Sequence, residues 1–311
     1  MHVTLTESRF KRTLREIVRS RYTYLFLLPG LLFYFTFMYV PMSGVILAFK
    51  KYNARLGIWG SPFVGLLNYE FVFRDASFFN ALKNTVVISF CRILFQFPAP
   101  IIIALLFNEL RMPRYKKVLQ TIYTFPNFLS WVMISGILVN FLGDTGALNA
   151  IISTLGGDKQ GFLSNSSLFR SLLYITDIWK SAGWSAIIYM AAISSIDVEQ
   201  YEAARIDGAN RLQMIAHITL PCIKSTITVM LLLQVGNIMN AGFDQIFNIS
   251  NPAVRSATDI LDTYLYRVTF EGSTDFGFSA AIGLFKSVVN FAMLVTFDRI
   301  SKLFGDRGLF Y

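Results

Sequence analysis

The chain has 311 residues, 54% hydrophobic and 15% charged, with 30 Phe and a mean hydropathy of +0.50. A soluble domain carries about 25% charged residues, so this composition argues against an ordinary soluble protein and for a bilayer as solvent. The formal charge of +9 is dispersed over short segments beside apolar runs, the pattern of membrane topology rather than of nucleic-acid binding.

Residues 1–21 hold six Lys/Arg and form a basic arm. Tyr22–Phe49 then carries no charge. It exceeds the ~20 residues that span hydrocarbon and the roughly 7–15 of a signal-peptide core, which predicts a retained first span, bent or interrupted at Pro29 and Pro41. Lys50–Lys83 alternates Gly, Pro and charges with aromatics and predicts a segment lying along the outer membrane surface. Five further spans are predicted: Thr85–Phe107, Val118–Leu142, Leu168–Ile196, Ser225–Ile249 and Phe276–Phe297. With six spans the termini share a side, and sixteen Lys/Arg fall on it against eight on the other. That bias predicts cytoplasmic termini and a cytoplasmic loop between the fourth and fifth spans. Cys91 and Cys222 then lie at opposite faces, which argues against a disulfide. The only histidines are His2 and His217, and no metal-ligand spacing occurs.

The central loop, residues 197–222, is the largest polar piece on its side. Asp197 is placed to cap a helix, Glu199 and Glu202 suit its first turns, and Gly208 allows the chain to turn where a Cβ would obstruct. Pro221 suits the start of the fifth span. A passive solvated helix and a docking segment both fit these features.

The spacing within that loop carries more. Glu202-Ala203-Ala204, three residues, Gly208, nine residues, then Ile218-x-Leu220-Pro221 resembles the EAA motif of permease subunits of binding-protein-dependent ABC importers. Asp207-Gly208-Ala209 matches a common form of it. Phe63-Val64-Gly65-Leu66-x-Asn68-Tyr69, Asn84-Thr85, Tyr123-Thr124-Phe125-Pro126, the run Asp259–Arg267 and the run Ala281–Ser287 resemble the sugar-importer branch, in its LplB-like form.

The resemblance implies an all-α integral membrane protein with six transmembrane helices, the transmembrane domain of a type I importer. Residues 1–21 would be the cytoplasmic arm, 22–80 the first span and outer segment, 81–298 the transport core and 299–311 the cytoplasmic tail. It also implies partners: a second, homologous six-helix permease, two cytoplasmic ATPase subunits and an extracytoplasmic solute-binding protein that delivers an oligosaccharide. Glu202, Ala203, Ala204, Arg205, Asp207, Gly208, Ile218, Leu220 and Pro221 would couple this chain to an ATPase cleft. The sequence contains no Gly-x-x-x-x-Gly-Lys-Ser/Thr phosphate loop, so ATP and Mg are expected on the separate ATPase subunits. The chain itself is expected to be non-catalytic, in the cell membrane, with no cofactor and no nucleic acid.

Ionisable residues inside spans are costly and default to functional candidates. Here they are Arg92, Asp177, Lys180, Asp244 and Lys286. Asp177 and Lys180 are also spaced to satisfy each other on one helix face. Gln234, Asn237, Asn240, Asp244 and Asn248 recur at steps of three and four, which on a continuous helix is one face. Such a stripe needs partner helices or a polar ligand. Trp179, Trp184 and Tyr189 offer flat faces for sugar rings, although Trp179 also suits a membrane-interface anchor. Three basic against two acidic residues in the spans suggests a uronate-bearing cargo, its carboxylate met by Arg92 or Lys286. Two other classes stand beside this one: a permease for a non-sugar solute, and a free-standing secondary transporter or membrane enzyme. Against the latter stands the lack of an internal inverted repeat.

Overall fold

The computed structural model describes residues 18–272 and 275–303, so most of the basic arm and the end of the tail lie outside it. The described residues are almost entirely helical, with one isolated β-bridge, Lys50↔Phe63.

The first span, α1, runs Arg21–Phe49. Pro29 sits within its regular part, and the turns around Pro41 change to π-helix at Phe35–Tyr39 and to 3-10 helix at Ser43–Phe49. Asn68, in the short helix Leu67–Arg74, caps its end: the side-chain amide donates to the carbonyls of Ala48 and Lys50 at 3.0 Å each. Most of α1 is exposed, as suits a helix facing lipid or another subunit.

The second span begins at Ala76, ahead of the expected Thr85, and comprises α2 (Ala76–Phe95) and α3 (Pro98–Glu109). Asp75 starts it by accepting the Ser77 N–H at 2.7 Å. The break between α2 and α3 falls where Pro98 and Pro100 interrupt the ladder.

Two predicted spans need correction. Val118–Leu142 is not one helix: α4 (Pro113–Thr124) passes into a 3-10 turn at Phe125–Phe128, and α5 (Trp131–Leu142) starts afresh. Pro126 has no N–H to continue the ladder, and Ser130 caps α5 through the Met133 N–H at 3.2 Å. Together with the short helix Ala147–Thr154, α5 forms a 24-residue apolar stretch, Trp131–Thr154. Ser225–Ile249 is likewise interrupted: a helix over Lys224–Val235 and another over Phe243–Ile249 are separated by turns. Gly242 takes φ +87°, which no regular helix accommodates.

Between these lies α6 (Ser166–Ser194), capped by the Asn165 side chain, then α7 (Val198–Ile206), α8 (Arg211–Cys222), α9 (Lys224–Val235) and α10 (Phe243–Ile249). A short α11 (Leu261–Tyr266) precedes the last helix, α12 (Phe276–Leu303). Four stretches are long and apolar enough to cross a membrane, and α6–α7 and α8–α9 raise this to six if each bent pair is one span.

Three buried clusters hold the bundle together. One gathers Phe78, Ala81, Leu261, Tyr264 and Ile282 from α2, α11 and α12. Another joins Ile88, Phe169, Leu173 and Ile246. The third, around Ala104, Ala186, Tyr189, Ile193 and Ile223, lies at the end of the spans nearest the central loop. Gly183 permits the closest approach: a Cβ there would stand 2.0 Å from the Tyr123 carbonyl oxygen, so α4 lies directly on α6.

Candidate functional site

The central loop leaves the bundle through two sharp bends, 72° between α6 and α7 and 63° between α8 and α9. Asp197 starts α7 by accepting the Glu199 N–H at 3.0 Å. The helix ends in a Schellman turn. Gly208 adopts φ +80°, its N–H reaches the Arg205 carbonyl at 3.1 Å, and the Ala209 N–H reaches that of Ala204 at 2.9 Å. A capping box follows at once, with Asn210 and Gln213 exchanging bonds of 2.8 and 2.9 Å. These four bonds hold the turn between α7 and α8 in one defined shape.

Three contacts tie the loop down. Tyr201 and buried Thr219 join hydroxyls at 2.9 Å. Cys222 donates weakly to Gln200 at 3.6 Å. Arg211 meets Glu109, at the end of α3, at 3.3 Å. Outward, Glu202, Ala203, Arg205, Asp207 and Gly208 are exposed, while Ala204, Ile218 and Leu220 are half-buried beneath them and Pro221 is exposed beside them. Among the described residues Glu202 has no ion-pair partner. Ile206 is 86% exposed and Leu212 77%. Two large aliphatic side chains held in the open on a rigid turn are what a partner's cleft requires.

The interior polar residues form separate groups. Arg92 (α2) meets Asp177 (α6) at 3.1 Å and also donates to Gln245 (α10), whose amide bonds the Leu173 carbonyl and Thr176 hydroxyl at 2.8 Å each. Asp177 therefore takes Arg92 as its ion pair rather than Lys180. Gly242 makes room for this network, because a Cβ there would lie 2.2 Å from the guanidinium. Lys286 pairs with Asp262, and Arg267 holds Asp259 through two bonds of 3.0 and 2.5 Å. Asp259 and Asp262 lie between the fifth and sixth predicted spans, where α11 packs against α2 and α12. The two cations offered by the sequence for a cargo carboxylate are both paired within the chain. Lys180 has no carboxylate partner among the described residues: its ammonium donates to the Asn127 carbonyl at 2.8 Å and lies 5.7 Å from the Trp131 ring centre.

The polar stripe of the fifth span does not lie on one face. Gln234 lies in the last turn of α9, Asn237 in the turn after it, Asn240 in the irregular stretch before Gly242 and Asp244 in the first turn of α10. Asn237 bonds the Leu233 carbonyl at 2.9 Å, and the Met239 N–H is taken by Asn290 of α12 at 2.9 Å. The interruption is thus stitched by side chains, as non-helical backbone at membrane depth requires. Gln234 and Tyr189 share a small cavity of about 70 Å³ with Gln96 and Ser181. Asn240 borders a larger one, about 640 Å³, whose walls include Phe243, Tyr266, Phe270 and Asp262. Trp179 and Trp184 are about half exposed on the outside of α6, Trp184 packed edge-on to Phe128.

Residues 96–305 match the family described as the binding-protein-dependent transport system inner membrane component. The chain belongs to this family. It is 43% identical to Protein LplB of Bacillus subtilis, over 94% of this chain and 92% of that one. It is 40% identical to the polygalacturonan/rhamnogalacturonan transport system permease protein YteP of the same organism, covering 99% and 96%. A crystal structure of a bacterial alginate ABC transporter, in complex with its alginate pentasaccharide-bound periplasmic protein, contains a chain that superimposes with a TM-score of 0.87 at 36% identity, covering 96% of this chain and all of that one. The family is one of membrane components of ABC transporters rather than of catalytic subunits.

Several residues of this family member lay outside the sequence reading. Arg211 and Glu109 are far apart in the chain, and no periodicity links them. Arg170, within α6, was passed over among the span charges; it bonds the Ala257 carbonyl and the Asn84 side chain, both at 2.9 Å. Ile206 and Leu212 fall at positions inside the motif that its pattern leaves unspecified.

Proposed function

We propose that this permease serves an ATP-driven importer whose cargo is an acidic, uronate-bearing oligosaccharide. Its role as the permease of an oligosaccharide ABC importer follows from family membership together with relatives of about 40% identity. One observation carries the acidic cargo: the YteP relative is named for polygalacturonan and rhamnogalacturonan, and the structural neighbour for alginate, each matched over nearly the whole chain. In the working transporter this chain pairs with a second six-helix permease, two ATPases bind below and a solute-binding protein delivers the sugar from outside. The chain crosses the membrane six times, with its termini and the α7–α8 loop in the cytoplasm; the excess of Lys/Arg on that side supports this orientation. ATP binding draws the ATPases together, and α7, seated in one of them through Ile206 and Glu202, carries the movement into α6 and α9. The coupling subsite is Glu202 to Pro221. The sugar path runs past the broken fifth span, where irregular backbone borders cavities and Tyr189, Gln234 and Asn240 supply hydroxyl-matching donors and acceptors.

Arg92 and Lys286 already hold carboxylates, so of the three cations that the sequence places in the spans Lys180 is the one left to meet the uronate. The test is uptake of matched acidic and neutral oligosaccharides by the assembled transporter carrying Lys180→Met. A charge-assisted hydrogen bond contributes about 1.5–3 kcal/mol, so the preference for acidic cargo should fall roughly tenfold or more. Unchanged selectivity would reject Lys180 as the carboxylate contact, and equal uptake of both sugars by the unaltered transporter would reject the acidic cargo.

A further inference from the structure

Beneath the α7–α8 loop lies a cavity of about 360 Å³. Ile193, Ile196 and Ile215 form an aliphatic wall, while Arg111, Arg205 and Arg211 face it with a single carboxylate, Glu109. Glu109 is engaged by Arg211. Arg111 and Arg205 hold no side-chain hydrogen bond or ion pair among the described residues, which leaves two positive charges at the cavity uncompensated. The cavity lies where α3 ends at Glu109 and α6 at Ser194, the level at which hydrocarbon gives way to headgroups.

We propose that this cavity binds the phosphate headgroup of an anionic phospholipid, the phosphate held between Arg111 and Arg205 and the glycerol end of the acyl chains lying on the isoleucine wall. Isolated surface arginines are usually solvated, but these converge on a concave site. A guanidinium forks onto a phosphate with two parallel bonds, which suits a phosphodiester. A free anion would use the arginines and leave the aliphatic wall wet, whereas a phospholipid satisfies both. Basic pockets between spans at this depth recognise lipid headgroups by the same physics. The two arginines belong to different segments: Arg111 follows α3 and Arg205 lies on α7. A phosphate bridging them braces the loop against the end of the second span, so the composition of the inner leaflet sets how stiffly the loop transmits force. The proposal does not depend on which sugar is carried.

The assembled transporter, with its partner permease and ATPases, is placed in nanodiscs of phosphatidylcholine with graded phosphatidylglycerol, a trace of it photoreactive near the glycerol end of one acyl chain. Adducts are expected at Ile193–Ile196 and around Ile215. Arg111→Gln should raise the half-saturating phosphatidylglycerol fraction roughly fivefold, the weight of one basic side chain at an anionic surface, and Arg111→Lys, which keeps the charge without the fork, should restore part of it. Adducts only elsewhere, or an unchanged half-saturation in Arg111→Gln, would overturn the proposal. Displacement by millimolar inorganic phosphate would identify a soluble-anion site instead. Adducts seen only when the ATPases are stripped away would assign the cavity to those subunits.

Discussion

Gly208 gives the sharpest test of the proposed coupling role of the loop, because its constraint is purely conformational. Its φ is +80°, and no atom lies within 4 Å of where a Cβ would stand. Gly208→Ala therefore meets no neighbour and costs about 1–2 kcal/mol, the penalty of a left-handed L-residue. Gly208→Asn costs less, since Asn visits that region. Gly208→Pro forces φ to about −65°, removes the N–H that reaches Arg205, and pulls Ala209 from its bond to Ala204. Two lost hydrogen bonds at about 1 kcal/mol each, added to the backbone reorientation, bring this to roughly 3–4 kcal/mol. The equilibrium for closing the turn falls about fivefold to thirtyfold in the Ala variant and more than a hundredfold in the Pro variant. The assay is ATPase activity stimulated by loaded binding protein in proteoliposomes, normalised to assembled complex. Activity should rank Asn above Ala and place Pro at background. If Asn were as poor as Pro, side-chain contact rather than backbone geometry would govern this position and the reasoning would fail.

Other consequences can be measured independently. Glu202→Lys should abolish uptake and coupled ATPase activity while leaving the subunit inserted; surviving uptake would show that the loop is not the coupling element. Gly183→Ala sets a Cβ 2.0 Å from backbone of α4, so it should lower the thermal midpoint in detergent by an amount equivalent to about 1–3 kcal/mol. Gly30→Ala, with open space around it, serves as the control. Arg92→Met strands Asp177 in the interior and should destabilise by about 3–5 kcal/mol, whereas combining it with Asp177→Leu should recover most of the loss. A double variant as unstable as the single would mean that the ion pair is not the reason Arg92 is needed.

The parts of the fold that the sequence made legible are those where local chemistry and apolar length agree. The first span ends where its uncharged run ends, and α7 begins at the capping Asp197 and stops at Gly208 as their chemistry requires. The last helix starts at Phe276 as expected but continues to Leu303, past the charges of Asp298, Arg299 and Lys302. The second span starts early because Asp75 is a cap and Phe78 and Ala81 are buried, although charges nearby made the segment read as surface. The third and fifth spans were drawn as single helices because apolar length takes no account of whether each carbonyl has an N–H four residues on. Pro126 and Gly242 break that ladder without breaking the hydrophobic run. The turn at Gly208 is legible because its caps and glycine are local in the sequence. The pairs Arg92–Asp177, Lys286–Asp262 and Glu109–Arg211 are not, since each joins elements that only the packing brings together.

The contact at Gly183 has a mechanical meaning. At Gly183 the backbone of α4 is in direct touch with α6, with no side chain of α6 between them to slide upon, and close-packed interfaces shift between discrete arrangements rather than deform. The two helices form a single stiff beam whose far end is the 72° elbow into α7. A tug on that elbow therefore swings α4 together with α6. Through the 3-10 turn at Phe125–Phe128, the same swing reaches α5.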